Sequence, residues 1–119
     1  MEILLVDDEH HILQVIGDFL DDCGYQVCTA ANGAEALQVL EQKGDMGLIV
    51  SDIRMPRLDG LGLLKAVRVR FPGIPVVLMT GHGAEDVAAA ALHEGPHDSQ
   101  KKPIRLSALL DRVEHVDAR

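Results

Sequence analysis

The chain has 119 residues and a net charge of −8, with 47% hydrophobic and only 3% aromatic residues. This is room for a single domain over 1–119, within the usual span of about 100–150 residues, with an aliphatic core of Leu, Val, Ile and Ala. The acidic balance, with no basic run longer than Lys101-Lys102, argues against nucleic acid or an anionic membrane as the direct partner, and no apolar run reaches the roughly 20 residues of a membrane span. Met1-Glu2-Ile3 lacks the pattern of a signal peptide. Cys23 and Cys28 fit neither a metal pair nor a disulfide framework, so free thiols in a reducing cytoplasm are expected, packed as small apolar groups.

Ile3-Leu4-Leu5-Val6 is a short apolar run that stops at Asp7-Asp8-Glu9, the signature of a buried strand ending in acids. A helix follows, with Ile12, Val15, Ile16, Phe19 and Leu20 three or four apart, and Gly24 closes it. Tyr25 to Ala30 reads as a second strand, and Asn32-Gly33 as a turn. Ala36, Leu37 and Leu40 mark a second helix that ends before Gly44. Leu48-Ile49-Val50-Ser51-Asp52 is the central strand, a β-branched run delivering one carboxylate to the end of a sheet. Asp59 can cap a helix carrying Leu64, Val67 and Phe71, which Pro72-Gly73 ends. Ile74 to Met79 is a fourth strand, stopping at Thr80-Gly81-His82-Gly83. An alanine-rich helix is expected over about 84–94 and is broken by Gly95-Pro96. A weak fifth strand lies within His97 to Lys102, supported only by its place in the alternation. Leu106, Leu109, Leu110 and Val113 mark the last helix.

Alternation of this kind implies right-handed crossovers and a parallel α/β sheet covered on both faces. All strand ends then share one edge, where Asp7, Asp8, Asp52, Thr80 and Lys102 meet. Clustered carboxylates need a cation, and an oxygen-only set suits a hard ion such as Mg²⁺. Lys102 and the Thr80 hydroxyl can hold phosphate oxygens, and Asp52 can attack phosphorus. Taken singly, each residue has a plainer explanation. Asp7-Asp8-Glu9 can cap a helix, Asp52 can feed a turn, Thr80 can be a loop residue and Lys102 a solvated one. The joint order at four strand ends is the specific feature. His10, His11, His93, His97 and His115 show no ligand spacing and read as surface residues.

These residues together resemble the receiver domain of bacterial two-component response regulators over essentially the whole chain. The matching positions are Asp7-Asp8, Asp52 with Met55-Pro56 and Asp59-Gly60, Thr80-Gly81, and Lys102-Pro103. The Met79-Thr80-Gly81-His82-Gly83 wording is most similar to receivers of σ54-dependent activators or hybrid sensor kinases. The resemblance implies a doubly wound, flavodoxin-like (CheY-like) fold with five parallel strands in the order 2-1-3-4-5. It implies that Asp52 accepts a phosphoryl group from a phosphohistidine on a sensor kinase or phosphotransfer protein. Mg²⁺ (or Mn²⁺) would be held by Asp8, Asp52 and the Arg54 backbone carbonyl, with Asp7 nearby. Thr80 and Lys102 would bind phosphoryl oxygens, and the peptide before Pro103 would be cis. Arg54 and His82 would modulate the lifetime of the phosphoryl group. The domain would be a cytoplasmic switch rather than an enzyme, limited to its own phosphorylation and autodephosphorylation, and an output domain can accompany it in a longer chain.

One departure stands out. Ser99 occupies the place of the family's usual switch aromatic, and Gln100 that of a core aliphatic. Coupling from Thr80 to the face made by the fourth helix, the fifth strand and the last helix is therefore expected to be altered. The alternative is a pseudo-receiver, an interaction module with weakened switching. A Mg²⁺-dependent phosphohydrolase would want a second acid where Arg54 stands. A flavin or nucleotide site would be repelled by Asp7-Asp8-Glu9.

Overall fold

The computed structural model describes residues 1–80, 98–101 and 105–118. Its strands are β1 (Glu2–Val6), β2 (Gln26–Ala30), β3 (Leu48–Asp52), β4 (Val76–Thr80) and β5 (Asp98–Lys101). The helices are α1 (His10–Asp22), α2 (Gly33–Lys43), α3 (Gly60–Arg70) and a last described helix, Leu106–Asp117. The strands run parallel in the order β2-β1-β3-β4-β5. For β5 the backbone alone is described, with Ser99 opposite Leu78 and Gln100 opposite Met79. The segment expected to hold the alanine-rich helix, 84–94, lies outside the described residues, as do His93 and His97.

Strand residues alternate between two cores, because successive side chains point to opposite faces. Leu4, Val6, Ile49, Val76 and Leu78 meet Ala36 and Leu40 of α2 and Leu63, Leu64 and Val67 of α3. Ile3, Leu5, Leu48, Val50, Val77 and Met79 meet Leu13, Ile16 and Leu20 of α1 and Leu109 and Val113 of the last helix. Burial on both faces explains why the strands read as continuous apolar runs instead of alternating ones.

The ends of the helices follow local chemistry. After α1, Gly24 takes a left-handed φ of 95°. Its N–H donates to the Asp21 carbonyl and that of Tyr25 to the Leu20 carbonyl, the paired bonds of a Schellman cap. Gly44 closes α2 in the same left-handed region.

Three readings change. The buried stripe of α1 is Leu13, Ile16 and Leu20, and Val15 is 42% exposed. Asn32-Gly33 is not a free turn. The Asn32 side chain accepts a hydrogen bond from the Glu35 N–H and so caps α2, with Gly33 its first residue. The cysteines are both free, but neither is buried: Cys23 is exposed and Cys28 half-buried.

Candidate functional site

β1 and β3 are neighbours, yet the chain leaves them toward opposite sides of the sheet. This is the switch point, where open parallel sheets form a crevice beyond the strand ends. Val6 pairs with Ser51, so the residues that follow, Asp7 and Asp52, leave the sheet side by side. One carboxylate oxygen from each of Asp7, Asp8 and Asp52 lies within 4.8 Å of the others. Asp7 is wholly buried, Asp52 is 7% exposed, and Asp8 faces solvent.

The capping explanation for the first acids fares poorly. Glu9 occupies the N-cap of α1 but makes no side-chain cap bond. Asp7 Oδ1 accepts from the Glu9 N–H at 2.9 Å, which holds the turn rather than the helix. That one bond uses a single oxygen of Asp7, and two buried carboxylates beside a third remain costly to hold without a compensating positive charge. A triad of oxygen donors fits a hard divalent cation, which keeps several waters and takes few protein carboxylates.

β3 presents Asp52 because all five of its residues are buried, leaving only the strand end for a charge. Ser51, also buried, donates its hydroxyl to the Asp52 carbonyl at 2.8 Å. The loop after Asp52 folds straight back. Ile53 is anchored in the α2/α3 core, and its carbonyl accepts from the Gly60 N–H at 2.7 Å. A Cβ on Gly60 would lie 2.4 Å from the Asp52 carbonyl oxygen, so this return needs glycine. Asp59 caps α3 as expected, accepting from the Gly62 N–H at 2.8 Å.

Arg54 lies exposed in this loop. Asp52 pairs with Met79, so the Thr80 backbone ends β4 one residue beyond, at the same sheet edge. Ser99 is placed by its backbone in β5, one strand further out. His82, Lys102 and Pro103 fall outside the described residues. Sequence reasoning missed Gly33 and Leu58, whose backbones meet across this loop. The capping pattern Asn32-x-x-Glu35 was the available signal for Gly33 as a helix start.

Family membership follows from comparison. The model of the response regulator receiver domain matches residues 3–114. The chain belongs to the response regulator receiver family. Among curated relatives, the C4-dicarboxylate transport transcriptional regulatory protein DctD of Pseudomonas aeruginosa is 39% identical over 112 residues, covering 94% of this chain and 24% of that protein. The DNA-binding transcriptional regulator NtrC of Escherichia coli K12 is 38% identical over 114 residues, covering 96% and 24%. This receiver thus spans about a quarter of the length of the curated relatives it matches. A receiver domain protein from Clostridium thermocellum superposes with a TM-score of 0.92 at 31% identity, covering 97% of this chain and 92% of that one. The receiver domain of NtrX from Brucella abortus gives 0.88 at 34%, covering 96% of each.

Charge at the opposite sheet end is structural. Glu2 Oε2 accepts from the Cys28 thiol at 2.9 Å and from Lys43 Nζ at 2.8 Å. The thiol bond, then the ammonium, holds the Glu2 carboxyl below its ordinary range. The carboxylate in turn raises Lys43, while burial, then Glu2, raises Cys28. No described helix of the receiver is long and apolar enough to cross a membrane.

Proposed function

We propose that this receiver is a phosphoacceptor switch in which Asp52 takes a phosphoryl group from a phosphohistidine on a sensor kinase or phosphotransfer protein. The observation that carries this reading is the meeting of Asp7, Asp8 and Asp52 at the switch point, with two of the three carboxylates buried. An Asp52 oxygen forms a new P–O bond as the donor P–N bond breaks, and the leaving imidazole keeps the bonding pair and takes up a proton. Asp7 and Asp8, with Asp52 and the Arg54 carbonyl, would hold Mg²⁺ or Mn²⁺. That ion supplies positive charge to offset the charge on the transferring group. Seating on a rigid, buried strand end holds Asp52 for in-line attack.

Thr80 ends β4 beside this edge, and in the proposed scheme its hydroxyl and the Lys102 ammonium take phosphoryl oxygens. Arg54 and His82 tune the lifetime of the acyl phosphate, and Ser99 marks altered coupling to the distal face. Relatives named as transcriptional regulators support a longer protein with an output domain of the σ54-activator type.

Incubation with acetyl phosphate and MgCl₂, followed by intact-mass measurement, tests the reading. A gain of one phosphoryl group is expected, lost in EDTA and in Asp52→Asn. No gain in the wild type would leave an interaction module without acceptor chemistry.

A further inference from the structure

We infer that Leu58 is a positioning residue, whose seat between Gly33 and Gly62 sets the backbone that follows Asp52 and thereby the affinity of the acid cluster for a divalent cation. This rests on the cation-binding reading of Asp7, Asp8 and Asp52 given above.

The Gly33 N–H donates to the Leu58 carbonyl at 2.9 Å, joining the start of α2 to a loop 25 residues further along the chain. A Cβ on Gly33 would sit 2.5 Å from that carbonyl oxygen and 2.9 Å from the Leu58 Cβ. A Cβ on Gly62 would sit 2.6 Å from Leu58 Cδ1. Glycines in the first turns of two different helices therefore leave room for the same leucine. Arg57, just before it, holds a left-handed φ of 69°, a strain the chain retains where the loop approaches α2.

The other end of the loop is tied as well. Gly60 packs on the Asp52 carbonyl and donates to Ile53. Between the two ties run only Arg54, Met55, Pro56 and Arg57. A segment this short, held at both ends, transmits a shift of Leu58 to the peptide beside Asp52. Groups that orient a metal's ligands commonly change its affinity by about 10–100-fold.

The test is a MgCl₂ titration of the whole 119-residue chain, after EDTA treatment, read by amide chemical shifts. Gly33→Ala, which forces a backbone displacement, is expected to bind magnesium roughly tenfold more weakly. Leu58→Ala keeps the backbone hydrogen bond and loses the side-chain seat, so a smaller, several-fold weakening is expected. Val113→Ala, a core change on the opposite face of the sheet, keeps wild-type affinity. Linkage adds a readout in the unmodified protein: if the seat favours the cation, saturating magnesium slows hydrogen exchange at the Gly33 amide.

Folded variants at Gly33 and Leu58 that bind as tightly as the wild type would overturn the proposal. If Gly33→Ala does not fold, Leu58→Ala and the Gly33 exchange rate decide it, and wild-type affinity with unchanged exchange counts against it. A wild type that binds no magnesium overturns the cation reading itself, which separates the two failures.

Discussion

Replacing Asp52 by asparagine should make the metal-free protein more stable. The oxygens of Asp7, Asp8 and Asp52 come within 4.8 Å of one another. At that separation two unit charges repel by about 0.9 kcal/mol at the dielectric constant of water, and by about 3.5 kcal/mol at an effective constant of about 20. Asp52 faces two such neighbours, one wholly buried and one in solvent. The exchange keeps side-chain volume and removes both repulsions, so a gain of about 1–3 kcal/mol is expected after the loss of hydrogen bonds to the carboxylate. Urea unfolding in EDTA, followed by far-ultraviolet circular dichroism because the chain has no tryptophan, measures it. Magnesium at 100 times its dissociation constant adds about 2.7 kcal/mol to a wild type that binds it only when folded. On the proposed cation site the variant would be one ligand short and gain less, so the difference is expected to shrink or reverse. An Asp52→Asn protein less stable than the wild type in EDTA would refute a clustered charge at this edge.

The other expectations concern the backbone and the far end of the sheet. Gly60→Ala sets a Cβ 2.4 Å from the Asp52 carbonyl oxygen and 2.8 Å from Ile53 Cα, and it should cost about 1–3 kcal/mol, read as a lower thermal midpoint. Arg57→Gly relieves the φ of 69° and, after the entropy of a freer unfolded chain, should stabilise by about 0.5–1 kcal/mol, a rise of a few degrees. Glu2, whose pKa is lowered by the Cys28 thiol and then Lys43, contributes stability that is present above the ordinary carboxyl value of 4.5 and lost as pH falls through the lowered one. Glu2→Gln should therefore be less stable than the wild type at pH 7, with the gap closing toward pH 3 in urea titrations. Cys28 and Tyr25, both raised first by burial, add stability present below their ordinary values of 9.0 and 10.0 and lost as pH rises through the raised ones.

Much of the site was legible because a parallel sheet turns sequence order into place. Runs such as Ile3–Val6 and Leu48–Val50 are apolar throughout, and each hands an acid to the same edge. Asp59 and Gly24 were readable since caps and left-handed stops use local chemistry. The facing of α1 was not. Ile12, Leu13, Val15 and Ile16 offer two overlapping stripes, and only packing on β1 and β3 selects Leu13, turning Val15 outward. Asn32-Gly33 carries a turn signal and a capping signal at once, and the cap prevails because Gly33 must let Leu58 approach. That contact joins residues 25 apart, so no local period announces it.

The two-sided burial of β3 has a consequence for how this protein can vary. Leu48 and Val50 enter one core while Ile49 enters the other, so sliding the strand by one residue would exchange its sets and turn Asp52 from its neighbours. Substitutions within the strand are thus graded in effect, whereas removal of a single residue between Leu48 and Asp52 misaims the Asp52 carboxylate outright. Met46 is already buried in the α2/α3 core and the Gly47 N–H donates to the Glu2 carbonyl, so added length is tolerable only before them, at Gly44 and Asp45, and tolerance of insertions should change abruptly at Met46.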